Sequence, residues 1–144
     1  MAERILVIND TQEILDLFRE ILEGEGFEVL LYSYAIRDIA EIERLKPDLI
    51  IVDFFFSAQK EGWQMVQKLK LHRSMASLPI IVCTAAEQAV REIEGYLQAK
   101  GIALLPKPFD IDDLLQAVEE ALRSRKSSAA MVDDKTHHTK EKDQ

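Results

Sequence analysis

A chain of 144 residues is the size of one ordinary domain, and 47% hydrophobic residues are enough for one sizeable core. A net charge of −8 argues against a nucleic-acid or membrane-surface binder, which needs clustered Lys and Arg. A single cysteine excludes an internal disulfide, and no apolar stretch reaches the roughly 18–20 residues of a membrane helix. The opening Met1-Ala2-Glu3-Arg4 leads into a short apolar run rather than the long one of a signal peptide. The expectation is a soluble cytoplasmic protein with no nucleic-acid and no membrane partner.

Strand-like and helix-like segments alternate from Arg4 to about Arg125. The first strand is Arg4–Ile8, followed by a helix with Ile14, Phe18, Ile21 and Leu22 on one face. Gly24-Glu25-Gly26 ends that helix, and Glu28–Tyr32 reads as the second strand. Ile36, Ile39, Ala40 and Ile42 mark a second helix that stops before Pro47. The run Leu49-Ile50-Ile51-Val52-Asp53 is the third strand. A helix from about Gly62 to His72 turns Trp63, Val66 and Leu69 inward, and Pro79 opens the fourth strand. Val90, Ile93 and Leu97 give a fourth helix its stripe, which Gly101 terminates before the fifth strand. Ile111, Leu115, Val118 and Leu122 define the last helix. Five such βα units predict an α/β fold, a parallel sheet with helices on both faces. From about Ser124 the pattern stops, and the polar stretch that holds His137 and His138 reads as a disordered, solvated tail.

The strands are apolar almost throughout, as befits burial on both faces, yet four of them end in polar groups. The first runs into Asn9-Asp10, the third ends on Asp53, the fourth on Thr84, and the fifth runs into Pro106-Lys107-Pro108. Residues that close parallel strands stand at the sheet's carboxyl edge, where ligands of open α/β sheets bind. Two acids, a hydroxyl and a lysine on that edge suit Mg²⁺ and a phosphoryl group. A carboxylate can attack a phosphoryl donor and form an acyl phosphate. Plainer roles exist for some of them. Asp10-Thr11-Gln12-Glu13 and Thr84-Ala85-Ala86-Glu87 both fit helix capping boxes, and Lys107 can be a turn lysine. Asp53 has no helix directly behind it to cap.

With these residues in view, the sequence resembles the receiver domain of two-component response regulators over about residues 3–124. The resemblance is carried by Asn9-Asp10, Asp53, Thr84-Ala85 and Lys107-Pro108 in that order and spacing. It implies a flavodoxin-like (βα)5 doubly wound sheet with strand order 2-1-3-4-5; together with the end of the periodic pattern this gives a receiver domain at residues 1–125 and a polar tail at 126–144. It implies Asp53 as phosphoacceptor, Asp10 as a direct Mg²⁺ ligand, Asn9 as an outer-sphere helper and the backbone carbonyl of Phe55 as a further ligand. Thr84 and Lys107 would contact the phosphoryl group, and the Lys107-Pro108 bond would be cis. Asn9 stands where the family more often has an acid, which lowers the expected metal affinity. Ser57 takes the place of the usual proline in the loop after Asp53, and that loop reads one residue longer. Leu104 replaces the common Tyr or Phe, so the usual aromatic switch has no ring to swing. Phe55 and Ala86 match the two variable positions beside the phosphoryl site. Neither can orient a water, so Phe55 is expected to shield the aspartyl phosphate and slow its hydrolysis.

The resulting expectation is a stand-alone receiver, a phosphoacceptor signalling domain rather than an enzyme. It would take its phosphoryl group from a histidine kinase or phosphotransfer protein and signal through contact with a downstream protein. In the family that contact uses the fourth helix, fifth strand and fifth helix, where Tyr96 and Leu104 are the candidates. The alternative is a pseudo-receiver, a constitutive interaction module that is never productively phosphorylated; Asn9 and Leu104 favour it. A flavodoxin-like cofactor binder or a phosphohydrolase fits less well. The first loop lacks a Gly- and Ser/Thr-rich phosphate cradle, and no second aspartate follows Asp53 closely.

Overall fold

The computed structural model describes residues 2–33, 38–53, 61–85 and 94–124, with backbone alone at 61, 62, 94, 96 and 98. The proposed tail at 126–144 lies outside the described residues. The strands are β1 (Arg4–Ile8), β2 (Glu28–Tyr32), β3 (Leu49–Asp53), β4 (Ile80–Thr84) and β5 (Ile102–Pro106). They form one parallel sheet in the order β2-β1-β3-β4-β5, as the resemblance implied. The helices are α1 (Gln12–Gly24), α2 (Ile39–Leu45), α3 (Glu61–Leu71), α4 (Glu94–Ala99) and α5 (111–124).

Alternation along each strand divides the core in two. Leu6, Ile8, Ile50, Val52, Ile80 and Val82 face one side, where Ile42 of α2, Val66 and Leu69 of α3 and Leu97 of α4 cover them. Ile5, Val7, Leu49, Ile51, Ile81 and Cys83 face the other, under Leu15, Phe18 and Leu22 of α1 and Leu114, Val118 and Leu122 of α5. Both sets are buried, so between Arg4 at the start of β1 and the carboxyl ends the central strands carry no charged residue.

The helix faces differ in detail from their predicted stripes. In α1 the deepest residues are Leu15, Phe18 and Leu22, while Ile14 and Ile21 pack half-buried beside them. In α5 the expected Ile111 is 54% exposed, and Leu114, left out of the predicted stripe, is fully buried. The cause lies just upstream. Asp113 N–H donates to Asp110 Oδ1 at 2.8 Å and Asp110 N–H donates to Asp113 Oδ2 at 3.3 Å, a reciprocal capping box. Phe109, directly before the cap, enters the core beside Phe18, with ring centroids 6.0 Å apart. Phe109 therefore holds the core position ahead of α5, and Ile111 turns outward.

The end of α1 is a Schellman turn. Gly26 N–H donates to Glu23 O and Phe27 N–H to Leu22 O, and Gly26 takes the left-handed φ of +90° that this closure requires. The chain then enters β2 beside β1.

Lys70 is a buried cation on α3. Its Nζ donates to Ala76 O at 2.9 Å and Leu78 O at 3.0 Å, tying α3 to the segment that leads into β4. Burial, and then the charge of Lys100, push the Lys70 amine below its usual 10.5. The unfolded chain therefore binds this proton more tightly, and the Lys70 contribution to stability rises with pH in the window below 10.5. Lys70→Met is expected to destabilise the fold by about 1–2 kcal/mol, because the Leu78 carbonyl loses its buried donor. The variant should also lose that pH-dependent increment. Urea denaturation of both chains near pH 8 and near pH 10 checks this, and parallel pH dependences would refute it.

Candidate functional site

β1 and β3 are neighbours at the point where the strand order reverses, which is where a crevice opens at the carboxyl ends of a doubly wound sheet. Asp53 closes β3 at that point, with its side chain only 12% exposed. Two side chains converge on one of its oxygens. Lys107 Nζ donates to Asp53 Oδ2 at 2.8 Å, and Asn9 Nδ2 donates to the same oxygen at 3.3 Å. Lys107 arrives from the end of β5, where its own N–H donates to Thr84 O at 2.8 Å. The Lys107-Pro108 bond is cis, as the resemblance implied. Thr84 is buried at the end of β4.

Asp10 is exposed beside Asn9 at the same edge, and Thr11 Oγ1 donates to its Oδ1 at 3.4 Å. The capping role considered for Asp10 is not what the fold uses. The residue that caps α1 is Thr11, and its side chain makes no capping bond. Four of the expected residues thus share the carboxyl edge with Asp53, two of them in direct contact with it. Phe55 and Ala86 lie outside the described residues, as does the Tyr96 side chain. Leu104 is half-buried against the core face that α3 and α4 cover.

One contributor escaped the sequence reading. Thr11 N–H donates to Asn9 Oδ1 at 2.9 Å, which fixes the direction of the Asn9 amide. The Asn9-Asp10-Thr11 spacing is the signal, because Asn side chains commonly bond the backbone two residues on. Cys83 pairs in register with Asp53 but points into the apolar face under α1 and α5. Burial foremost, with the Asp53 charge adding and Lys107 opposing, pushes its thiol up to about 12, so it stays protonated and inert.

The donor set suits Mg²⁺. That ion takes one or two carboxylates and keeps waters and phosphate oxygens for the rest, and here one carboxylate lies in the cleft and another at its solvent side. Among the described residues no group of three or more His, Cys, Asp or Glu gathers anywhere, the cleft included, so the side chains described there supply two carboxylates and no more.

Fold and site together define a flavodoxin-like α/β domain with an aspartate–lysine pair at its ligand-binding edge. The model of the response regulator receiver domain matches residues 5–119, and the chain belongs to that family. Among curated proteins it is 32% identical over 120 residues to the DNA-binding dual master transcriptional regulator RpaA of Synechocystis, covering 83% of this chain and 49% of the relative. It is 26% identical over 123 residues to the DNA-binding response regulator MtrA of Mycobacterium tuberculosis, covering 85% and 52%. The chain thus spans about half the length of the curated relatives it matches. Among solved structures, the CheY-like receiver domain protein of Methanospirillum hungatei superposes with a TM-score of 0.75 at 28% identity, covering 89% of this chain and 99% of that one. NtrX of Brucella abortus gives 0.76 at 27%, covering 92% and 29%.

These relatives correct one expectation. The charge of −8 was read as excluding a nucleic-acid partner, yet curated relatives are DNA-binding regulators. Net charge reports only on the residues counted, and this chain aligns with about half of each relative. The exclusion does not stand. Among the described residues no helix is long and apolar enough to cross a membrane.

Proposed function

We propose that Asp53 accepts a phosphoryl group from a histidine kinase or phosphotransfer protein in a Mg²⁺-dependent reaction, and that the phosphorylated domain signals through protein contact. The observation that supports this most is the largely buried Asp53 with Lys107 Nζ at 2.8 Å. A carboxylate oxygen of Asp53 attacks phosphorus, the bond from phosphorus to the donor breaks, and the donor leaves with that electron pair. The charge of Asp53 then moves outward onto the phosphoryl oxygens. Lys107 can follow it as a point charge, and the Thr84 hydroxyl can donate to a second oxygen. Asp10, Asp53 and the Phe55 carbonyl would hold the Mg²⁺, with Asn9 in its outer sphere. When bound, the ion supplies positive charge between the carboxylates and the phosphoryl group.

Phosphorylation adds negative charge and acceptor oxygens at the site where β4 and β5 are joined by the Lys107-to-Thr84 bond. That link is the route from the site to the face bearing Leu104. The names of the curated relatives support DNA as a downstream partner, reached through such a contact.

The test is mass measurement after incubation with acetyl phosphate, with and without Mg²⁺. A single phosphoryl adduct that needs Mg²⁺ and maps to the peptide containing Asp53 is expected. No adduct under any condition would favour the second reading, a constitutive interaction module, for which Asn9 in place of an acid is the supporting feature. Phe55→Asn is expected to shorten the phosphoryl lifetime several-fold, since an amide can orient a water that a phenyl ring excludes. Decay of the adduct after donor removal measures this, and an unchanged lifetime rejects a shielding role.

A further inference from the structure

Asn9 is 3% exposed, and both ends of its amide are engaged. Thr11 N–H occupies Oδ1, so the end that faces Asp53 is the NH₂ group. Lys107 and Asn9 therefore hold Asp53 Oδ2 from the β5 and β1 sides, using the protein's own donors. An aspartate at position 9 has the same shape and can still accept from Thr11. It would present an oxygen, not an N–H, to Asp53. Two carboxylates in contact, mostly out of solvent and next to Asp10, repel one another unless a cation or a proton lies between them.

We propose that Asn9 is a positioning residue: its amide orients Asp53 where an acid would need a cation to do so. The fold and the orientation of Asp53 thereby become insensitive to Mg²⁺, and affinity for the ion stays low. This rests on the reading of Asp53 as phosphoacceptor and metal ligand given above.

Two variants test it, with calorimetric Mg²⁺ titration, thermal melting in Mg²⁺ or chelator, and acetyl phosphate labelling as readouts. Asn9→Asp is expected to bind Mg²⁺ about ten- to a hundredfold more tightly than the native chain. Its melting temperature should fall in chelator and recover with Mg²⁺, while that of the native chain stays nearly constant. A variant that folds only with Mg²⁺ is the strongest form of the same result. Asn9→Ala removes the amide without adding charge. It should show no rise in Mg²⁺ affinity and label about tenfold more slowly or worse, because Asp53 is no longer aligned.

Equal Mg²⁺ affinity in Asn9→Asp and the native chain would overturn the proposal, as would native-rate labelling of Asn9→Ala. Should Asn9→Asp gain tight Mg²⁺ binding while no chain is labelled at Asp53, the phosphoacceptor reading fails and the cation-replacing role of Asn9 stands. Should Asp53→Asn, added to Asn9→Asp, leave the tight binding intact, the assignment of Asp53 as a metal ligand fails instead.

Discussion

Asp53→Asn is expected to take up no phosphoryl group from acetyl phosphate under conditions that label the native chain. The substitution keeps the shape of the side chain and removes the nucleophile, since an amide oxygen does not form a stable phosphoryl ester at neutral pH. The fold should survive it. Lys107 loses a partner at 2.8 Å but is itself 34% exposed, so its ammonium can turn to water. Ion pairs that reach solvent contribute about 0–1 kcal/mol, and the change in melting temperature should be only a few degrees. Loss of labelling with retained folding thus isolates the chemistry from the scaffold. Mass spectrometry and circular dichroism on the same samples give both answers. An adduct persisting in Asp53→Asn would move the phosphoacceptor elsewhere.

Leu6→Ala carries the largest expected cost to stability. Leu6 is fully buried in β1, and its register partners are Leu30 on β2 and Ile50 on β3. It lies in the core face that α2, α3 and α4 cover, where neighbours on two strands and the overlying helices leave little room for collapse into a void. Truncation there is expected to remove about 3–5 kcal/mol, a large share of a typical domain's stability. The melting temperature should fall by roughly 10 °C. The effect should also reach the site, because β1 carries Asn9 and Asp10 at its carboxyl end. A fall of less than about 2 °C would show that the surroundings refill the space.

The strands were legible because burial on both faces leaves continuous apolar runs. The polar ends Asn9-Asp10, Asp53, Thr84 and Lys107 were legible because each interrupts such a run. Helix faces were read less well. Ile111 and Leu114 both fit a helical stripe, and the choice between them is made by Phe109 packing on Phe18, a contact between residues far apart in the chain. The charge argument failed for a different reason: net charge bears on non-specific attraction, and the DNA-binding regulators among the relatives show that it does not decide which partner a signalling domain serves.

By itself, then, the sequence determined the element order, the parallel two-sided sheet and the set of polar groups at its carboxyl edge. These follow from local periodicity and from where apolar runs stop. Only the tertiary structure decided which atoms meet. Asn9 and Lys107 lie 44 and 54 positions from Asp53, yet both donate to one of its oxygens. Strand order brings β1 beside β3, and the Lys107-to-Thr84 bond carries the lysine inward from the β5 edge. The direction of the Asn9 amide, and with it the sign of what Asp53 faces, depends on a single N–H from Thr11. Hydrogen-bond geometry of this kind is fixed by three-dimensional neighbours, and residue identity alone does not specify it.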